Sequence, residues 1–379
     1  MRRTILLLSA FILLLVACSG DGSHQAQTSM PGAPVSPTAI GVPTTVGVIR
    51  WDYWSANQRS SNWVLAVSQP QWRDRLPFYA TDLSSTPVTI REDRQRVMDQ
   101  EIDYASRAGI DYWAFDFYDP AGAGAPPMHM NYGVELFKTS SQNHRMRYAL
   151  ITTDGTGRRI WPSYSDALVA NFADPRYQTV AGGRPLLYLF DASGLGYSRA
   201  GIDALRAKTV AVGLPQPYIV GMVWDAQAGA QVIDRLGLDA MGAYLLGGDP
   251  PGEHPYSDQA GADRRFWESA NSEGEQVVPL VVASHDSRPA WDYPPPWQYA
   301  TSGPWYLEPL PSELAAHLDE AADWIATNPT CTEPNSVLIY SWNETAEGGL
   351  NIVPTHAQGT ARLDAIQDVI AEWTLDSGE

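Results

Sequence analysis

From Val46 onwards, short runs of apolar, β-branched and aromatic residues alternate with longer amphipathic or alanine-rich segments. Eight short runs read as strands: Val46–Ile49, Tyr112–Phe117, Arg147–Thr152, Pro185–Phe190, Tyr218–Val223, Ala240–Tyr244, Val277–Ala283 and Ser336–Ser341. Eight helical segments follow them in turn: Arg91–Ala108, Asn131–Asn143, Ser163–Phe172, Ile202–Val212, Gln227–Leu236, Ser257–Glu273, Ser312–Thr327 and Thr360–Trp373. Ser312, between Pro311 and Glu313, reads as an N-cap. Strict alternation without an internal repeat or second linker predicts the α/β class, as a single (β/α)8 TIM barrel. Four connections are long and rich in Pro, Gly and aromatics: Asp52–Ile90, Asp119–Met130, Leu245–Tyr256 and Ser284–Leu307. On the catalytic face of a barrel such βα loops shape the substrate groove.

The residues before Val46 have no such period. Arg2 and Arg3 precede the apolar run Ile5–Val16, too short for a spanning helix. Leu15-Val16-Ala17-Cys18 resembles a bacterial lipobox. Residues 1–18 are therefore expected to be a lipoprotein signal peptide, with Cys18 lipidated. The alternative is an ordinary secretory signal with a chance cysteine. Residues 19–45, rich in Ser, Pro, Gly and Thr, read as a disordered tether, and 46–379 as the folded domain. An extracytoplasmic protein is expected, held at the bacterial cell membrane by its N-terminal lipid anchor. Cys331 would then be the only free thiol, so no internal disulfide is expected.

Charge narrows the partners. The formal net charge is -18 and lysine occurs only at positions 138 and 208. Such a surface repels phosphate backbones, so nucleic acid is not expected as a partner. The 14 Trp and 18 Tyr suit a carbohydrate ligand, because flat rings cover the CH faces of sugars. Trp291, Tyr293, Trp297, Trp305 and Tyr306 in the last long loop offer a stacking wall, or else pack that loop onto the rim. A monomer is expected.

In a barrel, polar residues at strand C-termini converge on one site. Those residues are Asp52, Tyr53 and Trp54 after strand one, Asp116 and Tyr118 after two, and Trp224 and Asp225 after five. Tyr244 ends strand six; His285, Asp286 and Arg288 follow strand seven; Trp342, Asn343, Glu344 and Glu347 follow strand eight. Asp154 and Asp191 follow strands three and four. Glu344 and Glu347 are the candidate catalytic pair, since two nearby carboxyls are the apparatus for cleaving a glycosidic bond. The bland alternatives are a solvated loop or first helical turn for these two, and a helix cap for Asp116. No metal is expected: His285-Asp286 lacks supporting spacing, and His129, His254 and His356 read as incidental.

The stretch Ser341-Trp342-Asn343-Glu344-x-x-Glu347-Gly348 resembles the signature of glycoside hydrolase family 99 and its relatives. Weaker resemblances occur at Gly109–Tyr118, Asp174–Tyr177, Gly183–Tyr188 and Ser284–Pro289. The resemblance implies a (β/α)8 barrel and a retaining enzyme, endo-acting on α-mannosides, without a cofactor. It implies that Glu344 acts as base on the substrate's 2-hydroxyl, which attacks the anomeric carbon, and that Glu347 is the general acid and then base. Thr345 and Ala346 stand where relatives place bulky or polar residues, so another α-linked glycan, an α-glucan or arabinan, stays open. The competing readings are a non-catalytic glycan-binding lipoprotein, including a two-lobed transport receptor, and a polysaccharide-processing protein on the same barrel.

Overall fold

The alternation along the chain closes into a barrel. The structure of the protein, a computed structural model, describes residues 44–120, 130–153, 161–294 and 302–376. Eight parallel strands follow one another around it. They are β1 (Thr45–Arg50), β2 (Tyr112–Phe117), β3 (Arg147–Thr152), β4 (Arg184–Leu189), β5 (Tyr218–Met222), β6 (Ala240–Gly242), β7 (Leu280–Val282) and β8 (Ser336–Tyr340). The strand β8 pairs with both β1 and β7. The last seam, between β6 and β7, is a single parallel bridge from Met241 to Val277. There Val278 donates its N–H to Met241 O at 2.9 Å, and Met241 donates to Gln276 O at 2.7 Å.

That seam explains the two strands whose bounds differ from expectation. The seventh run, read as Val277–Ala283, contains Pro279, which has no N–H for a ladder. Residues before it pair with β6, and Leu280–Val282 pair with β8. The sixth strand stops at Gly242, so Tyr244 stands in the loop above the barrel.

The barrel helices are α1 (Gln95–Arg107), α2 (Tyr132–Thr139), α3 (Trp161–Phe172), α4 (Arg199–Ala211), α5 (Ala226–Leu236), α6 (Tyr256–Ser272), α7 (Pro311–Thr327) and α8 (Ala361–Asp376). Ser312 is not the cap of α7. Leu310 occupies that position, Pro311 is the first helical residue, and the Glu313 carboxylate accepts the Leu310 N–H at 2.7 Å. Proline's preset φ starts a helix without losing a needed donor. Likewise α1 begins at Gln95 rather than Arg91, because Glu92 turns into the interior.

Period-two alternation on β2 sorts its side chains. Trp113 and Phe115 face outward and meet Phe137 of α2 at ring centroid distances of 6.1 and 6.0 Å. Tyr112 faces inward, and its hydroxyl reaches Tyr188 on β4 at 2.8 Å and Ser336 on β8 at 2.9 Å. Gly47 makes room for it, since a Cβ there would lie 2.1 Å from the Tyr112 ring. Tyr112, Tyr188 and Ser336 thus floor the barrel. Asp116, of the same parity as Tyr112, points inward at the top.

Candidate active site

The site begins where β8 ends. Trp342 is fully buried, and its indole donates to Glu101 on α1 at 2.9 Å. Asn343 turns the other way and pairs with both backbone groups of Trp51. The Trp54 indole donates to Asn343 O at 2.7 Å. With these anchors set, the chain doubles back. The Glu347 and Gly348 N–H groups donate to Glu344 O at 3.1 and 2.6 Å, so one turn carries both glutamates. Asp286 N–H donates to Glu347 O at 3.0 Å and ties that turn to the end of β7. Thr345 and Ala346 are fully buried beneath it.

The two carboxyls differ. Glu344 is 2% exposed and accepts from two tyrosine hydroxyls: Tyr340 donates to Oε2 at 2.8 Å, and Tyr244 donates to Oε1 in a short contact. The Tyr244 oxygen also lies 2.7 Å from Asp116 Oδ2. Burial pushes Glu344 up to about 7, against the lowering effect of its two tyrosine bonds. Glu347 is only partly buried, and no described side chain hydrogen-bonds to its carboxyl. Burial and the neighbouring Glu344 charge raise it to about 8. Of the two, Glu344 is the easier to ionise and Glu347 the easier to keep protonated, an arrangement that suits a base and an acid on one turn.

Behind the turn lies a second buried set of charges. Arg50, fully buried, contacts Asp52 at 2.9 Å, Glu92 at 3.1 Å and Glu101 at 3.0 Å. Its guanidinium lies 4.6 Å from the Trp113 ring centroid. One cation cannot hold three anions in a dry interior. Burial raises Asp52 to about 7 and Glu92 to about 8, Arg50 opposing the shift in both cases. Asn343 also donates to Glu92 at 2.8 Å, so this set and the glutamate turn share a side chain.

The other residues singled out in the sequence fall into three places. Asp52, Trp54, Trp342 and Asn343 are fully buried framework; a Cβ on Gly133 would lie 1.8 Å from Asp52, which sits against the start of α2. Around the rim, Tyr53 stacks on Trp51 at 4.6 Å, and Trp51 donates its indole N–H to Tyr118 at 2.8 Å. Trp224 is half exposed and donates to Asp191 at 3.2 Å, while Asp225 caps α5 through the Ala228 N–H at 2.7 Å. His285 stacks on Tyr306, and burial lowers it to about 4. Asp286 clamps Arg75 and Arg288, whose hydrogen bonds and charges outweigh burial and hold it below the usual carboxylate range. Arg288 lies 3.3 Å over the Trp305 ring. Cys18, the expected signal peptide, the expected tether as far as residue 43, Asp154, His129 and Trp297 lie outside the described residues; Thr45, expected to end that tether, is instead the first residue of β1, where it pairs with Ser336.

His254, read as incidental, does have partners. With Asp249 and Asp258 it brings three possible ligand atoms within 4.8 Å of one another. Its Nε2 meets Pro250 O at 2.8 Å, and Tyr306 donates to Asp249 at 2.8 Å.

No protein-family model matches the sequence, and no curated protein does. Among solved structures the chain is similar to a protein described as glycoside hydrolase-like, with TM-score 0.58 and 14% identity over 89% of this chain and 97% of that one. It is also similar to the GH99 endo-α-mannosidase from Bacteroides thetaiotaomicron, with TM-score 0.54 and 14% identity over 88% of this chain and 97% of that one. The same enzyme in complex with bis-tris-propane matches equally well, over 96% of its chain. The likeness is one of fold. The family that the Asn-Glu-x-x-Glu-Gly stretch resembles is thus also a structural neighbour.

Sequence reasoning missed Tyr340, although period two from Ser336 puts Tyr340 on the inner face with it. The Arg50, Glu92 and Glu101 set had no such signal, because its members come from β1, a loop and α1.

Proposed function

We propose that this chain is a glycoside hydrolase that acts on an α-linked polysaccharide with retention, by participation of the sugar's 2-hydroxyl. The observation that carries the proposal is the turn after β8. It holds one buried, doubly hydrogen-bonded glutamate and one partly open glutamate raised to about 8. In this reading Glu344 draws the proton from the 2-hydroxyl as O2 closes on the anomeric carbon. Glu347 delivers its proton to the departing glycosidic oxygen, and then takes one from the water that reopens the ring. The similarity to the Bacteroides endo-α-mannosidase supports α-mannan as the first substrate to try, with cleavage inside the chain. No cofactor enters.

The test is a panel of α-mannans, α-glucans and arabinans incubated with the soluble domain, read as released oligosaccharide. Cleavage of one member, lost on Glu347→Gln, is expected. Turnover by Glu347→Gln at the wild-type rate would overturn the acid assignment. The described residues all lie in one compact unit, Thr38–Glu379, and build one barrel. That disfavours a two-lobed transport receptor, the form in which a non-catalytic role was most concrete.

We also propose an extracytoplasmic location through a lipid on Cys18. Cys18→Ser should move the protein from the membrane fraction to the soluble one. Unchanged fractionation would remove the anchor.

A further inference from the structure

Tyr244 has one hydroxyl hydrogen and faces two carboxyls. Its oxygen lies 2.7 Å from Asp116 Oδ2 and in closer contact with Glu344 Oε1. A phenol donates a single hydrogen bond. With both acids ionised, one of them would press a bare lone pair against the phenol oxygen. Asp116, Tyr244 and Glu344 are all buried, so water does not screen that clash. The contact is satisfied when one carboxyl holds a proton and donates it to Tyr244, while Tyr244 donates to the other.

The surroundings say which acid holds the proton. Glu344 accepts on both oxygens, from Tyr244 and from Tyr340. Asp116 Oδ1 is buried and has no partner among the described residues. Hydrogen bonds to an anion favour it, and a bare buried oxygen disfavours it. The groups that bear electrostatically on Asp116 come from three elements: Glu344 after β8, Tyr244 after β6 and Asp52 after β1. None is a cation. Burial and the Glu344 charge push Asp116 well above the usual carboxylate range.

We propose that Asp116 is an un-ionised carboxylic acid that donates to Tyr244, and that the directed chain Asp116 to Tyr244 to Glu344 positions Glu344 and holds it as the anion. Asp116 is then a positioning residue. Its service to a base rests on the hydrolase reading above, whereas its protonation state does not. During the proposed reaction the 2-hydroxyl O–H breaks and its proton goes to Glu344. The C1–O2 bond forms and the bond to the leaving oxygen breaks, with Glu347's proton going to that oxygen. Water then adds to C1 and gives a proton to Glu347, while the C1–O2 bond breaks and O2 recovers its proton from Glu344. Asp116 and Tyr244 keep their hydrogens throughout.

An infrared difference spectrum, wild type minus Asp116→Asn at pH 7 without ligand, tests the protonation state. The expected band is the carbonyl stretch of a carboxylic acid, which shifts in heavy water. Tyr244→Phe removes the acceptor and should move that band to higher frequency. A carboxylate band in its place overturns the inference, whatever becomes of the enzymatic reading. A kinetic arm uses a glycan that the wild type cleaves. Asp116→Leu should lose about tenfold more kcat than Asp116→Asn, whose amide still donates to Tyr244, at similar KM. The acid limb of the pH profile should stay in place for Asp116→Asn, as one neutral group replaces another. Equal losses in the two variants, or an acid limb that falls in Asp116→Asn, overturn the inference.

Discussion

Asn343 grips Trp51 by both backbone groups: its Oδ1 accepts the Trp51 N–H at 3.0 Å, and its Nδ2 donates to Trp51 O at 2.8 Å. A side chain after the last strand thereby mimics the ladder partner that the end of β1 lacks. The same amide donates to Glu92 at 2.8 Å. Asn343→Ala should leave buried partners unpaired and cost about 3 kcal/mol of unfolding free energy. Urea denaturation measures it. A loss no larger than that of an exposed substitution would show that the turn is held by other contacts.

The two glutamates should separate by leaving group. Glu347→Gln removes the proton donor, so a substrate with a poor leaving group should slow about a hundredfold, and one with fluoride as leaving group far less. Glu344→Gln removes the base and should slow both. Steady-state rates on the two substrates decide the assignment; the reverse pattern exchanges the roles.

The pH profile follows from the same pair. The base must be ionised, so activity falls below about 7, where burial has placed Glu344. The acid must be protonated, so activity falls above about 8, where burial and the Glu344 charge have placed Glu347. A narrow bell between these limbs is expected in kcat/KM. With the Glu344 charge removed, residual activity of Glu344→Gln should show its basic limb at lower pH.

Stability should have its own pH dependence. Asp52 and Glu92 are raised to about 7 and about 8 in the folded state, chiefly by burial. Between the ordinary carboxylate range near 4 and those values, the folded chain binds more protons than the unfolded one. Each group therefore stabilises at low pH, and the contribution is lost progressively from about pH 4 until pH has risen through about 7 to 8. Tm should fall over that window, and Glu92→Gln should flatten the decline. A Tm that rises from pH 5 to 8, and does so equally in Glu92→Gln, would count against the charge states argued for this cluster.

Much of the architecture could be read from one dimension. Strand and helix are periodic properties of neighbouring residues, so eight apolar runs and eight amphipathic segments were visible from Val46 onward. So was the delivery of Glu344 and Glu347 to the top of the barrel, since both follow a buried strand without a break. The Ser312 cap failed at the same local level, because a proline one residue earlier offered the helix a better start.

Contacts between distant segments were not written in any such period. The β6–β7 seam depends on which residues flank Pro279 in space, and Tyr340 reached Glu344 only once β8 had turned its inner face to the barrel interior. Asp52, Trp54 and Asn343 looked like rim residues by position, yet tertiary packing drew them inside around Arg50 and Trp51. Local pattern sets where side chains lie along an element. Which of them lose water, and which meet at one hydroxyl as Asp116 and Glu344 do at Tyr244, is decided when elements from all around the barrel close on the same point.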